Sequence, residues 1–458
     1  MKAGRIGMYT CGMTVYDYDH IGHGRKYVGD DLLRRTLTYL GYKVKHVQNV
    51  TDVGHLVSDE DAGEDKLEKG AKKFKKTVWD VAAFFTKHFY ESMDKLNILR
   101  PDIICKATDH IKEQVELVKK LLKKGCAYET PEAVYFDVAK FSDYGKLFGQ
   151  KLNEKKIAAR AEVQVGEYKR HPQDFALWFK RVGRFADHEM HWPSPWGEGF
   201  PGWHIECSAM SMKYLGEQFD IHTGGEDHIA VHHPNEIAQS EAATGKKPFV
   251  RHWIHHIFLM VEGKKMSKSL GNFYKIEDLE ARGFNPLALR YLFLTTHYRK
   301  RLNFTWKGLE AAQRALDKLY EKIGNLKKGV KTKTEKLKLK SKNVNEYKKQ
   351  FIDFLIDDLN IPRALAVVWK LVKDKTVVPI DKYRLLLDFD KILGLKLWET
   401  RSPTIVEAPV EVKKMVEQRE EMRKQKKWQE ADRLRLQIEK SGFIVEDTAE
   451  GPKISKGK

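Results

Sequence analysis

The chain opens with a change of hydrophobic period. Residues 6–10, Ile-Gly-Met-Tyr-Thr, form a short apolar run that ends at Cys11 and Gly12 and predicts a buried strand. From Arg25 the apolar residues Tyr27, Val28, Leu32, Leu33, Leu37 and Leu40 recur at helical spacing, and Gly41 stops them. Residues 44–50 return to strand character and run into Asn49, Val50, Thr51 and Asp52. Strand, helix and strand in that order predict a βαβ unit, the start of an α/β fold with a doubly wound, Rossmann-like parallel sheet. Ligands in such sheets bind beyond the carboxyl ends of the strands, where Cys11 and Thr51 both stand.

Downstream, residues 58–64 are acidic and predict an exposed loop, and helical spacing returns at 79–96 and 109–124. Residues 126–185 hold short β-like runs, such as Ala133 to Phe136, and suit an insertion between two halves of a sheet. A helix is expected over 205–214. After Trp306 the pattern turns helical, with Leu309, Ala312, Leu316, Leu319, Tyr320 and Ile323 on one stripe. The Lys-rich stretch 327–342 predicts a loop or mobile hairpin. Further helices are expected at 347–359 and 362–373, the second opened by Pro362. A helical hairpin is expected at 410–424 and 428–440, closed by Gly442. The basic tail, 451–458, is expected to be disordered.

Length and charge narrow the class. A chain of 458 residues calls for roughly two to four domains. No segment nears the roughly twenty uninterrupted apolar residues of a membrane span, and the N-terminus lacks a secretory pattern. Four cysteines, Cys11, Cys105, Cys126 and Cys207, form no Cys-x-x-Cys pair, so a reducing cytoplasm is the expected compartment. The net charge of +19 points to a polyanionic partner, with nucleic acid the first candidate and solvated lysine faces the bland alternative.

Three constellations carry candidate chemistry. His20 and His23 stand at the entry to the first helix, where backbone N–H groups and the helix dipole favour phosphate; Gly22 between them allows close approach. Two histidines capping a helix for packing is the other reading. Lys265 and Lys268 flank Met266 and Ser267 between Gly263 and Gly271, a small loop that could close over a triphosphate or be an ordinary basic turn. His232 and Glu236 lie four apart, on one side of a helix. With Cys11 and Cys207 they make four plausible Zn²⁺ ligands, although scattered Cys and His are commonly core residues. Cys105 and Cys126 read as structural.

Taken together, these strings resemble the cysteinyl-tRNA synthetase family of the class I aminoacyl-tRNA synthetases. They are residues 9–23, which hold Cys11, Gly12 and the His20-Ile21-Gly22-His23 run; 174–179, Asp-Phe-Ala-Leu-Trp-Phe; 202–210, with Trp203 and Cys207; 222–227, with His222 and Asp227; 232–240, with His232 and Glu236; and 265–269, Lys-Met-Ser-Lys-Ser. The resemblance runs from about residue 6 to residue 448 and stands on six matches in the family's order. It implies one zinc per chain on Cys11, Cys207, His232 and Glu236, able to take a substrate thiolate and exclude serine. It implies ATP with Mg²⁺ as substrate, phosphate contacts from His20, Gly22 and His23, and pyrophosphate stabilisation by Lys265 and Lys268. Gly12, Thr51, Trp203, His222 and Asp227 would line the cysteine and adenylate pocket, Asp227 also facing the nucleotide.

The implied partners are L-cysteine, ATP and tRNA(Cys), with no membrane, for a monomer. Residues 1–115 and 191–250 would be the catalytic halves, 116–190 the connective insertion, and 251–308 the lysine loop and stem-contact region. Residues 309–400 would form a helical anticodon-binding bundle and 401–458 a small C-terminal helical hairpin domain. Pro234 departs from the family's usual Glu, but proline fits the first turn of a helix. Two other functions fit parts of the pattern: a cysteine ligase acting on an amino-sugar, and a non-catalytic RNA-binding paralogue. The basic helical region after residue 309 and the complete motif sets favour the tRNA enzyme.

Overall fold

The computed structural model describes residues 4–53, 56, 63–148, 168–267, 270–328, 341, 343–399, 409–448 and 451–456. The chain divides into two compact units, residues 1–316 with 336–396, and residues 317–335 with 397–458.

The first unit starts with β1 (Arg5–Thr10), α1 (Ile21–Tyr39), β2 (Lys43–Val50), α2 (Lys66–Phe74), α3 (Val78–Lys95), β3 (Ile103–Lys106) and α4 (Ile111–Lys123). An antiparallel sheet is inserted next, with strands β4 (Ala127–Glu129), β5 (Ala133–Phe136), β6 (Phe175–Lys180) and β7 (Gly199–Pro201) side by side in that order. The chain then returns through α5 (Trp203–Leu215), β8 (Phe219–Gly225), α6 (His232–Thr244) and β9 (Val250–His256). The main sheet has the order β3-β2-β1-β8-β9, and every pairing in it is parallel. The order reverses between β1 and β8, where Met8 stands beside Ile221. That reversal opens a crevice at the carboxyl ends of the two strands.

Alternation along β1 feeds two cores. Met8 packs with Leu33 of α1 and with Ile221, while Tyr9 joins Val47, Met210 of α5 and Phe219 on the other face. A further core ties α4, α5 and α6 to the inserted sheet through Val118, Phe136, Trp178, Ile205 and Ile237. After β9 come β10 (Leu259–Val261), β11 (Lys264–Lys265), α7 (Ile276–Ala281), α8 (Pro286–Leu294) and β12 (Leu302–Phe304); the three strands form a small sheet in the order β11-β10-β12. The helix α9 (Trp306–Lys328) follows, and α10 (Val344–Ile356), α11 (Ile361–Lys373) and α12 (Pro379–Leu393) complete the first unit. Among the described residues no helix is long and apolar enough to cross a membrane.

The second unit holds α13 (Val410–Lys424), α14 (Trp428–Lys440), β13 (Phe443–Thr448) and β14 (Gly451–Lys456). Its tail corrects the sequence reading. Residues 451–456 are not disordered but pair antiparallel with β13, from Thr448 opposite Gly451 to Phe443 opposite Lys456. The cause is a one-sided apolar face: Phe443 and Val445 are buried with Val412, Val416 and Ile438, and Ile454 packs against them. Arg419 adds a forked pair to the Asp447 carboxylate, at 2.8 and 3.0 Å. Helices α2, α7, α8 and α12 and the small sheet were not anticipated either. The acidic loop falls mostly, and the Lys-rich stretch almost wholly, outside the described residues.

One buried ion pair holds α1 to the helical part of its unit. Arg290 of α8 and Asp31 of α1 are both fully buried and lie 2.6 Å apart. The rest of the guanidinium donates to the carbonyls of Leu393 at 2.7 Å and Leu96 at 3.0 Å. Asp31 in turn accepts from the Leu99 N–H at 3.0 Å and from Arg35 at 2.7 Å. Gly394 closes α12 at φ +64°, and a Cβ there would lie 2.6 Å from the guanidinium. Removing one partner strands a buried charge. Arg290→Met is therefore expected to cost about 3–5 kcal/mol in urea unfolding of the chain. Arg290→Lys should recover only part, because an ammonium cannot reproduce the fork.

Candidate functional site

The turn from β1 into α1 builds the first half of the site. The Gly12 N–H donates to Asn49 Oδ1 at 2.7 Å, and a Cβ on Gly12 would come within 1.6 Å of the Asn49 carbonyl, so only glycine fits. His20 is the N-cap of α1: its Nδ1 accepts from the N–H of Gly22 at 3.1 Å and of His23 at 3.3 Å, and His23 Nδ1 accepts from the His20 N–H at 3.2 Å. The two rings stack at 3.8 Å. Capping uses the Nδ1 edge of both imidazoles, so their Nε2 atoms face away from the helix backbone.

The lysine loop reaches the same place. A Cβ on Gly22 would lie 3.5 Å from Met266 Cε, and the first N–H of α1, that of Ile21, donates to the Tyr274 carbonyl at 2.9 Å. Asn272 clamps the loop's base, accepting from the Ser267 N–H at 2.8 Å and donating to the Lys265 carbonyl at 3.1 Å. Lys265 is exposed at the end of β11. Lys268 lies outside the described residues.

The second half of the site is a buried cluster. Cys11 follows β1, Cys207 lies on α5, and His232 and Glu236 lie on α6. One donor atom from each lies within 4.8 Å of all the others, and all four residues are buried. Pro234 sits in the first turn of α6, where a missing N–H costs no helical hydrogen bond. His204 and His232 share a proton between their Nδ1 atoms at 2.9 Å, which leaves His232 Nε2 toward the cluster. His222 Nε2 bonds Glu236 Oε2 at 2.9 Å, which leaves Oε1 toward the cluster. His232 Nε2 and Glu236 Oε1 face each other at 3.1 Å, both buried and both without a hydrogen bond among the described residues. Two thiols, one outward imidazole nitrogen and one outward carboxylate oxygen, with their other edges engaged, are a donor set that fits zinc.

Electrostatics argues the same way. Burial pushes the Cys207 thiol well up, and the neighbouring Cys11 and Glu236 add to it; burial also raises Cys11. Burial would raise Glu236 as well, but His222 and His232 outweigh it and hold the carboxyl at about 2. Burial opposes a charge on His232, yet Glu236 and Cys207 raise its pKa. An imidazolium thus balances the donor set, a task a divalent cation performs better. Burial and adjacent imidazoles push His228 and His233 far down, and His255 falls to about 4, so this surround stays neutral.

The remaining expected residues ring the cluster. Trp203 stacks on His232 at 4.2 Å. Thr51 is buried, and its hydroxyl accepts from Asn49 Nδ2 at 3.0 Å. Asp227 follows β8 in a short turn and stays half exposed. His222 lies behind Glu236 and stacks on Trp253. Sequence reading missed His204; it missed His233, whose Nε2 is 3.5 Å from Cys11 Sγ; and it missed Lys26, whose ammonium donates to the Cys11 carbonyl at 2.7 Å. The doubled His232-His233 was a signal for His233, but nothing local marked Lys26.

Comparison with known proteins gives the family. Residues 1–314 match a family model described as tRNA synthetases class I (C) catalytic domain, and residues 406–452 match one described as Cysteinyl-tRNA ligase anticodon binding domain. The chain is 44% identical over 467 residues to the cysteine–tRNA ligase of Treponema denticola, covering 97% of this chain and 94% of that protein. It is 46% identical over 456 residues to cysteine–tRNA ligase 1 of Burkholderia lata, covering 99% and 93%. Identity to the Thermus thermophilus enzyme is 43% over 470 residues, covering 98% and 95%. Among solved structures, Mycobacterium tuberculosis methionyl-tRNA synthetase with methionyl-adenylate superposes with a TM-score of 0.58 at 15% identity, over 85% of this chain and 90% of that one. A LeuRS–tRNA–LeuAMS complex of Agrobacterium radiobacter gives 0.62 at 13%, over 87% and 85%. At such identities the superpositions speak for the fold alone.

The outward donors give a direct test. Zinc binding to the purified chain, read by competition with a chromophoric chelator, is expected to be lost in Cys207→Ala. In His222→Phe, where Glu236 loses its orienting partner, it should weaken about 10–100-fold.

Proposed function

Because the chain belongs to the cysteine–tRNA ligase family of class I aminoacyl-tRNA synthetases, we propose that its buried cluster holds one zinc ion that selects cysteine, beside a helix start that holds ATP. The enzyme joins cysteine to tRNA at the expense of ATP, giving AMP and pyrophosphate. Cys11, Cys207, His232 and Glu236 are the proposed ligands, and their convergence is the observation that carries the reading. A zinc ion there supplies a soft Lewis acid that favours a thiolate over an alcohol. Discrimination of serine then need not rest on an apolar contact, which is worth only about 1–3 kcal/mol.

The chain's own residues orient the reactants. Trp203 covers the cluster, and Gly12, Thr51, His222 and Asp227 line or brace the pocket for the amino acid. His20, Gly22 and His23 receive the phosphates of ATP·Mg²⁺ on the helix start. The cysteine carboxylate attacks the α-phosphate, cysteinyl-adenylate forms, and pyrophosphate leaves toward Lys265 and Lys268. The terminal adenosine of tRNA(Cys) then takes the cysteinyl group. No side-chain nucleophile is needed; positioning and charge supply the rate.

On this reading residues 1–115 and 191–250 are the catalytic halves, 116–190 the insertion and 251–308 the lysine loop with its stem contact. Residues 309–400 and 401–458 engage tRNA, and the match over 406–452 favours anticodon contact there and tRNA over an amino-sugar acceptor. A cytoplasmic monomer completes the proposal. The zinc-loaded chain is expected to catalyse ATP–pyrophosphate exchange that depends on cysteine and not on serine. Cys207→Ala should lose both zinc and exchange. Normal exchange in that variant would remove the metal assignment, and no exchange in the wild type would remove the activity.

A further inference from the structure

We propose that His88 is a positioning residue for the ATP half of the site, tying the segment that ends in His20 to α7, the helix into which the lysine loop runs. This rests on the reading that His20 and the lysine loop bind ATP. His88, Ser92 and Lys95 form one stripe of α3, at i, i+4 and i+7. The stripe spans a joint between two segments. On one side lies Asp19, buried to 2% and immediately before the capping His20: His88 Nδ1 is 2.7 Å from its Oδ1, and the Ser92 hydroxyl donates to the same oxygen at 3.1 Å. On the other side lies α7: His88 Nε2 is 3.6 Å from Glu277 Oε1, and Lys95 reaches Glu277 at 2.9 Å and Glu280 at 2.7 Å. The two segments also meet directly, through the Ile21 N–H to the Tyr274 carbonyl and the edge of Phe273 against His20 at 5.0 Å.

Charge decides how well one imidazole can hold both sides. A protonated ring donates from both nitrogens; a neutral ring donates from one and abandons one carboxylate. The groups facing His88 are Asp19 and Ser92, Glu277 with its partner Lys95, the like-charged Lys275, and the ring of Tyr18 at 4.9 Å. The hydrogen bond to Asp19 raises the His88 pKa, with burial and Lys275 opposing. A raised imidazole pKa means that the joint is complete below the ordinary histidine range and is lost as pH climbs through the raised value. The ATP half should therefore loosen on the alkaline side, while the cysteine half, which His88 does not touch, should not.

The test uses the full chain and two variants, His88→Gln and His88→Arg, with thermal unfolding to check that both fold. In cysteine-dependent exchange between about pH 6.5 and 9, the wild-type KM for ATP is expected to rise with pH. In His88→Gln that KM should be raised about threefold to tenfold and be flat with pH, whereas His88→Arg, which cannot lose its charge, should keep it low and flat. The KM for cysteine should stay within about twofold throughout. A second readout needs no catalysis: amide protection over residues 270–281, corrected for the intrinsic rise of exchange with pH, should be low in His88→Gln at every pH and fall to that level in the wild type only at alkaline pH. Unchanged exchange protection and an unchanged KM profile in His88→Gln would overturn the proposal. Failure of the ligase reading would be seen separately, as absence of cysteine-dependent turnover in the wild type.

Discussion

The site depends on β1 lying beside β8. The chain leaves β1 in one direction, lays down β2 and β3, makes the inserted sheet and returns to fill the other flank of β1. Parallel strands that share an edge but lead away to opposite flanks cannot both be followed by elements in the same space, so their carboxyl ends diverge and leave a gap. The Cys11 N–H bonds the Thr223 carbonyl at 3.0 Å at the mouth of that gap. The start of α1 opens on one side of it, and α5 and α6 bring Cys207, His232 and Glu236 from the other. The start of α1 and the Cys, His and Glu donor set become neighbours through topology, not through sequence proximity.

The donor residues in the gap are also buried, which sets their chemistry. Burial raises both thiols, Glu236 and Cys207 raise His232, and the surrounding His228 and His233 are held neutral, so without a cation the donor set balances its charge with protons that a metal ion would displace. Of the encircling histidines, His204 and His222 fix which edge of His232 and of Glu236 faces inward, while His228, His233 and His255 are held neutral. A set held from behind in this way favours one coordination geometry over the wandering contacts of exposed carboxylates. Aromatic stacking of Trp203 on His232 and of Trp253 on His222 keeps these rings in plane.

Much of this was legible in the sequence because its signals are local. Helical spacing from Tyr27 to Leu40 and the short run from Ile6 to Thr10 gave the first βαβ unit, and His232 with Glu236 announced a shared helix face. Other features are invisible to a local reading. Lys26 looks like any surface lysine on α1, yet its ammonium reaches back to the Cys11 carbonyl. Asp31 and Arg290 are far apart in sequence, and no local pattern marks a buried pair. The tail misled for a different reason: its lysines dominate the composition, while a single Ile454 closes the apolar face left by Phe443 and Val445. Strands of two or three residues, as in the β11-β10-β12 sheet, are too short for a period to show.

On the proposed reading the lysine loop closes over a triphosphate, a task with opposing requirements. It must move, yet its cations must arrive at a fixed place. Both stems of the loop are fixed. β11 pairs the upstream stem to β10, Asn272 bridges the two stems, and the Tyr274 carbonyl receives the first N–H of α1. Downstream, Lys95 holds α7 by Glu277 and Glu280, and Arg282 stacks on Trp306 at 3.7 Å. The first turn of α1, which holds His20 and His23, is thereby bonded to the downstream stem of the loop. That hydrogen bond and the edge of Phe273 against His20 tie the position of α1 to the loop's base. The pair Arg290–Asp31, which anchors α1 to α8, therefore also bears on where the loop's base lies.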